Sequence, residues 1–130
     1  MREILFRAKR PNGEWRVGNL LFYPDVNRAF MSSGDYKSIG GTVEVDKKTI
    51  GQFTGLTDKN GKKIFEGDIL EGLCGLHEVY FDEDFVCFNW KNISGKQKES
   101  FSGFADEYEI IGNVHNNPEL IQTSGISDNT

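Results

Sequence analysis

The chain has few cysteines, few prolines and no long apolar run. Two cysteines, Cys74 and Cys87, do not make a disulfide framework for 130 residues. The expectation is a reducing compartment with both thiols free. Three prolines argue against a polyproline or low-complexity segment. No stretch approaches the roughly 18 consecutive apolar residues that a spanning helix needs. The opening, MREILFRAKR, is charged within two residues and has no apolar stretch of signal-peptide length. A cytosolic protein without membrane contact is expected. Motifs for chemistry are missing too. There is no G-x-x-x-x-G-K-[ST], no G-x-G-x-x-G and no serine in a nucleophile elbow. Neither His77 nor His115 stands near a motif that would make it a base. The expectation is a protein that is not an enzyme and holds no cofactor.

What is present points to sheets. Fifteen glycines against three prolines favour many tight turns. Ten Phe, four Tyr and two Trp are enough for a real core in one domain, or in two subdomains. The net charge of −5 argues mildly against nucleic acid, but its distribution is uneven. Residues 1–65 carry 12 Lys/Arg and 7 Asp/Glu, a balance of +5; residues 66–130 carry 3 and 13, a balance of −10.

The segment from Thr49 to Leu70, TIGQFTGLTDKNGKKIFEGDIL, is the most explicit. Asp58-Lys59-Asn60-Gly61 predicts a turn between two strands. Asp at its first position accepts backbone N–H groups, and Gly at its fourth takes a positive φ at little cost. Glu66-Gly67-Asp68 predicts a second break and a new strand. Upstream, residues 2–10 and 14–22 alternate around Pro11-Asn12-Gly13, which predicts a hairpin with one half-buried face. From Tyr23 to Gly41 the pattern dissolves into a long loop, with at most one helical turn near Asn27–Met31. Thr42–Asp46 is a short strand. Downstream, strands are expected at 69–71, 77–81, 85–90 and 107–114. A helical turn is expected at 117–120, with Asn117 as cap and Pro118 at the first position. So many short strands suggest a small barrel, because closure removes exposed edges. The expected core is Ile50, Phe53, Leu56, Ile64, Phe65, Ile69, Val79, Phe81, Val86, Phe88, Ile110 and Ile111.

Three constellations invite chemistry. Asp58–Gly61 begins like a calcium loop but fails at Lys62, Lys63 and Ile69, where a ligand, a glycine and a glutamate belong. Cys74, His77, Cys87 and His115 lack the two tight pairs of a structural zinc site, and Cys87 sits in an apolar run that predicts burial, so no metal is expected. Asp82-Glu83-Asp84 and Asp106-Glu107 are expected to face water. The basic residues Lys47, Lys48, Lys59, Lys62 and Lys63, interleaved with Phe53 and Phe65, are the candidate nucleic-acid contacts of an alternative reading. The opposing reading is that turn lysines keep an edge soluble.

REILFRAK (2–9), VEVDKKTIGQFTGLTDKNGKKIFEGDIL (43–70) and EIIGNVHNNPEL (109–120) closely resemble the YopX family of phage and prophage proteins. The resemblance implies an N-terminal α+β part followed by an SH3-like β-barrel, in a phage-encoded protein of the bacterial cytoplasm. It carries over no catalytic residue. The expectation is a mainly β chain with an N-terminal, hairpin-containing α+β subdomain over residues 1–44. This packs on an SH3-like barrel over residues 45–121, and residues 122–130 form a disordered tail. Its expected role is that of an accessory protein that binds a host or phage protein or assembles with itself.

Overall fold

A computed structural model describes residues 3–32, 41–93, 98–99 and 105–121 of the chain. The expected tail at 122–130 lies outside the described residues. The fold is mainly β, with two antiparallel sheets and almost no helix. Among the described residues there is no closed barrel, and no helix is long and apolar enough to cross a membrane. The chain forms two compact units, Met1–Phe53 and Thr54–Thr130.

The first unit contains β1 (Phe6–Lys9), β2 (Trp15–Tyr23), β3 (Arg28–Ser32), β4 (Thr42–Val45) and the start of β5 (Gly51–Thr57). The sheet order is β4-β3-β2-β1-β5. β1 and β2 form the expected hairpin, from Phe6 opposite Gly18 to Lys9 opposite Trp15. A 3-10 turn at Lys47–Thr49 follows β4. The Thr49 hydroxyl ties it to β1, accepting from the Lys9 N–H at 2.8 Å and donating to the Asp46 carbonyl at 2.7 Å.

The expected loop with a helical turn near Asn27–Met31 is corrected here: residues 28–32 are strand β3. Its inward residues are Ala29 and Met31, both buried. Neither is β-branched, so the alternation is easily missed. The core joins Ala8, Ala29, Met31 and Val45, with Phe6, Leu20, Val43 and Ile50 against it. Since side chains alternate along a strand, burying Leu20 turns Trp15, Val17, Leu21 and Tyr23 to the other face. Val17, Leu21 and Tyr23 are exposed there.

The second unit holds the rest of β5, then β6 (Lys63–Phe65), β7 (Asp68–Gly72), β8 (Gly75–Asp82), β9 (Cys87–Asn92), β10 (Lys98–Glu99) and β11 (Glu109–Asn113). β6 pairs with β5, and the other five lie in the order β10-β9-β8-β7-β11. Residues 118–121 form the short helix expected behind Asn117. The core is Ile64, Leu70, Val79, Trp90, Ala105 and Tyr108, with Leu56, Phe88 and Ile110 against it. His77 is fully buried within it, stacked on Trp90 at 4.3 Å and edge-on to Tyr108 at 5.4 Å.

Phe53, Ile64, Phe65, Ile69 and Val79 are buried as expected. Three expected core residues are not. Ile111 is the extra residue of a β-bulge, since Ile110 faces Leu70 while Gly112 faces Ile69, and the bulge leaves it exposed. Phe81 lies at the loop end of the β8–β9 hairpin, beside the Asp82–Cys87 pair and opposite Phe88. Val86 is not in a strand at all.

Candidate functional site

The turn that was most explicit in the sequence forms as predicted. The Asp58 carbonyl accepts from the Gly61 N–H at 3.0 Å, and Gly61 has φ 80°. The Asp58 carboxylate accepts from the N–H groups of Asn60 at 2.8 Å and Lys62 at 2.9 Å. It also accepts from Ile110 of β11 at 3.0 Å. Burial alone would raise its pKa. The three N–H bonds and the Lys62 charge outweigh that and hold it below the usual carboxylate value. The second break is built alike: Gly67 has φ 93°, and the buried Asp68 carboxylate accepts from the Phe65 N–H at 2.8 Å.

The candidate lysines are divided between the units. Lys47 and Lys48 lie exposed in the 3-10 turn of the first. Lys59, Lys62 and Lys63 lie exposed around the β5–β6 turn of the second. Lys59 is in an ion pair with Glu109, at 3.6 Å, so this part of the basic cluster is offset by an acid. The candidate metal ligands also take separate roles. Cys74 is exposed in the β7–β8 turn, and His77 is stacked in the core. Cys87, expected to be buried, is exposed, because it opens β9 at the end of its hairpin. Among the described residues, no group of three or more His, Cys, Asp or Glu is placed to hold a metal ion.

The most unusual local structure is the tip of the β8–β9 hairpin. Asp82 pairs with Cys87, so Glu83-Asp84-Phe85-Val86 form a four-residue loop. Asp82 was expected to face water with its acidic neighbours; instead it is 2% exposed. Its carboxylate accepts from the N–H groups of Asp84 at 3.0 Å and Phe85 at 3.2 Å, from the Asn89 amide at 3.1 Å and from the Tyr80 hydroxyl at 3.5 Å. Burial, then the Asp82 charge and this hydrogen bond, push the Tyr80 phenol above its ordinary pKa. Glu83 and Asp84 do face water. So do the two apolar residues beside them, Phe85 at 75% and Val86 at 73% exposure.

Val86 has φ 54°, the left-handed region. A β-branched side chain is an outlier there, at a cost of about 1–3 kcal/mol. The first unit supplies a comparison. Tyr23 pairs with Arg28, so the β2–β3 hairpin also has a four-residue loop, and its last residue, Asn27, has φ 53°. The same backbone requirement is met there by a residue that tolerates it. No sequence signal separates a strained Val86 from an ordinary strand valine, because FVCF reads as a continuous apolar run.

The family model described as YopX protein matches residues 5–122. Among curated proteins, none matches the chain. Of solved structures, the crystal structure of protein EF1440 from Enterococcus faecalis is similar, with a TM-score of 0.57 and 27% sequence identity. The match covers 93% of this chain and 99% of that one. With nearly its whole length matched, the chain belongs to the YopX protein family.

Proposed function

We propose that this is a non-enzymatic accessory protein of phage or prophage origin that acts in the bacterial host cytoplasm by binding protein, its own copies included. The observation that carries the reading is Val86. The turn needs a left-handed residue, and Asn27 shows that this chain supplies asparagine at the equivalent place. Valine gives up stability there to hold an apolar side chain in water beside Phe85. Such a cost is expected where the side chains are covered on binding. The buried Asp82 carboxylate fixes the loop beforehand, which lowers the ordering cost of association.

The second unit is read as an SH3-like barrel. In support, the β5–β6 turn is tied to β11 by Asp58 to Ile110 and by the Lys59 N–H to the Tyr108 carbonyl at 2.9 Å. The nucleic-acid reading is weakened by the Lys59–Glu109 pair.

The test is affinity capture from prophage-bearing cells, with nuclease added. The wild-type chain should retain a protein partner, and a Phe85→Ser/Val86→Asn variant should lose it while staying folded. Equal capture by both would overturn the reading. A salt-dependent shift of DNA or RNA, abolished by Lys→Glu changes at Lys47, Lys48, Lys62 and Lys63, would put the nucleic-acid reading in its place.

A further inference from the structure

We infer that the occupant of the hairpin tip is a second copy of this chain, which receives it on the outer face of its β1–β2 strands. The inference rests on the reading of the tip as a protein-binding element, and it names the partner surface. That surface is apolar and basic. Val17 and Leu21 lie on one face of β2 at 50% and 40% exposure. Beside them on the same face, the Arg7 guanidinium and the Lys9 ammonium lie over the Trp15 ring, at 5.0 Å and 5.6 Å from its centre.

The tip is its complement. It sets Phe85 and Val86 next to Glu83 and Asp84, all exposed. Apolar side chains can cover Val17 and Leu21 while the acids meet Arg7 and Lys9. An acidic tip is repelled by an anionic membrane or a phosphate backbone, so a basic protein surface is the fitting partner. The charge balance of the chain, +5 over residues 1–65 and −10 over residues 66–130, has the sign that such a contact needs on each side. Two different surfaces meet in such a contact. It is therefore heterologous and runs head to tail, into a ring or a filament.

The experiment is light scattering on the full chain and two double variants. Phe85→Ser/Val86→Asn removes the tip, and Val17→Glu/Leu21→Glu removes the receiving face. Wild type should form multimers at low salt that weaken as salt rises. Each variant alone should be monomeric with a cooperative thermal transition. A one-to-one mixture should give a dimer and nothing larger, since it holds one working tip for one working face. If the face variant does not fold, Lys9→Glu serves instead. It should weaken association by about 3–10-fold, and adding Glu83→Lys to the same chain should restore it.

A wild-type monomer at high concentration and low salt would overturn the inference. So would a mixture that stays monomeric or a charge swap without rescue. If either occurs while the wild-type tip still captures another protein from cells, the head-to-tail contact falls and the protein-binding reading stands.

Discussion

The Asp58 carboxylate reaches across fifty-two residues of chain to accept the Ile110 N–H at 3.0 Å, and so ties the β5–β6 turn to β11. It also holds two N–H groups of its own turn. Removing it strands three donors. Asp58→Ala should cost roughly 1–3 kcal/mol, because part-buried donors left without their acceptor carry a desolvation penalty. Asp58→Asn keeps one acceptor oxygen and should cost less. Urea unfolding measures both, and a change under ~0.5 kcal/mol for the alanine variant, the size expected of an ordinary surface substitution, would contradict the role.

The same carboxylate predicts a pH dependence. Its folded pKa lies below the unfolded value of about 3.9. Its contribution is therefore complete above that value and is lost as pH falls through the folded pKa. Stability should drop more steeply below about pH 4 in wild type than in Asp58→Asn. Parallel curves for the two proteins would show that other acids control acid unfolding.

Gly72 and Gly61 are needed for different reasons, and two substitutions separate them. A Cβ on Gly72 would lie 2.6 Å from the Tyr108 ring, so Gly72→Ala should cost about 1–3 kcal/mol by overpacking. The added cost should largely disappear in a Tyr108→Ala background, since residues in contact are not additive. A Cβ on Gly61 meets nothing within 4 Å, and the residue's constraint is φ alone. Gly61→Val should cost roughly 1–3 kcal/mol and Gly61→Asn much less. Equal thermal midpoints for Val and Asn would mean that the turn rearranges.

In dilute solution at high salt, where copies are apart, both thiols should react in the folded protein. Cys74 and Cys87 are exposed, each at a hairpin end. A thiol reagent added without denaturant should label two sites per chain, as read by intact mass. Labelling at only one site would place the other under cover, and at low salt the natural cover for Cys87 is a copy bound at the neighbouring tip.

The sequence was legible where a turn leaves one residue type no substitute. Asp58, Gly61, Gly67 and Asp68 each meet a backbone demand that few residues satisfy, so the strands between them followed. It was not legible at β3, where Ala29 and Met31 bury a strand face without β-branched residues. It misled at Phe85–Cys87, where an apolar run passes through a turn instead of a strand. The site was therefore hidden by the feature that makes it unusual. His77 was hidden too, since the rings it packs against in the core, Trp90 and Tyr108, are distant from it in sequence.

The pairing of β7 with β11 has a consequence for synthesis. β7 runs antiparallel to β8 on one side, and that neighbour follows it directly. Its other side waits for β11, which is made only after β8, β9 and β10. At roughly 5–20 residues per second, a ribosome takes a few seconds over that interval. Until β11 is made, the backbone groups of Ile69 and Leu70 on that side lack the strand that pairs with them. A chain released before residue 109 keeps that row of groups open, an edge to which another strand can add.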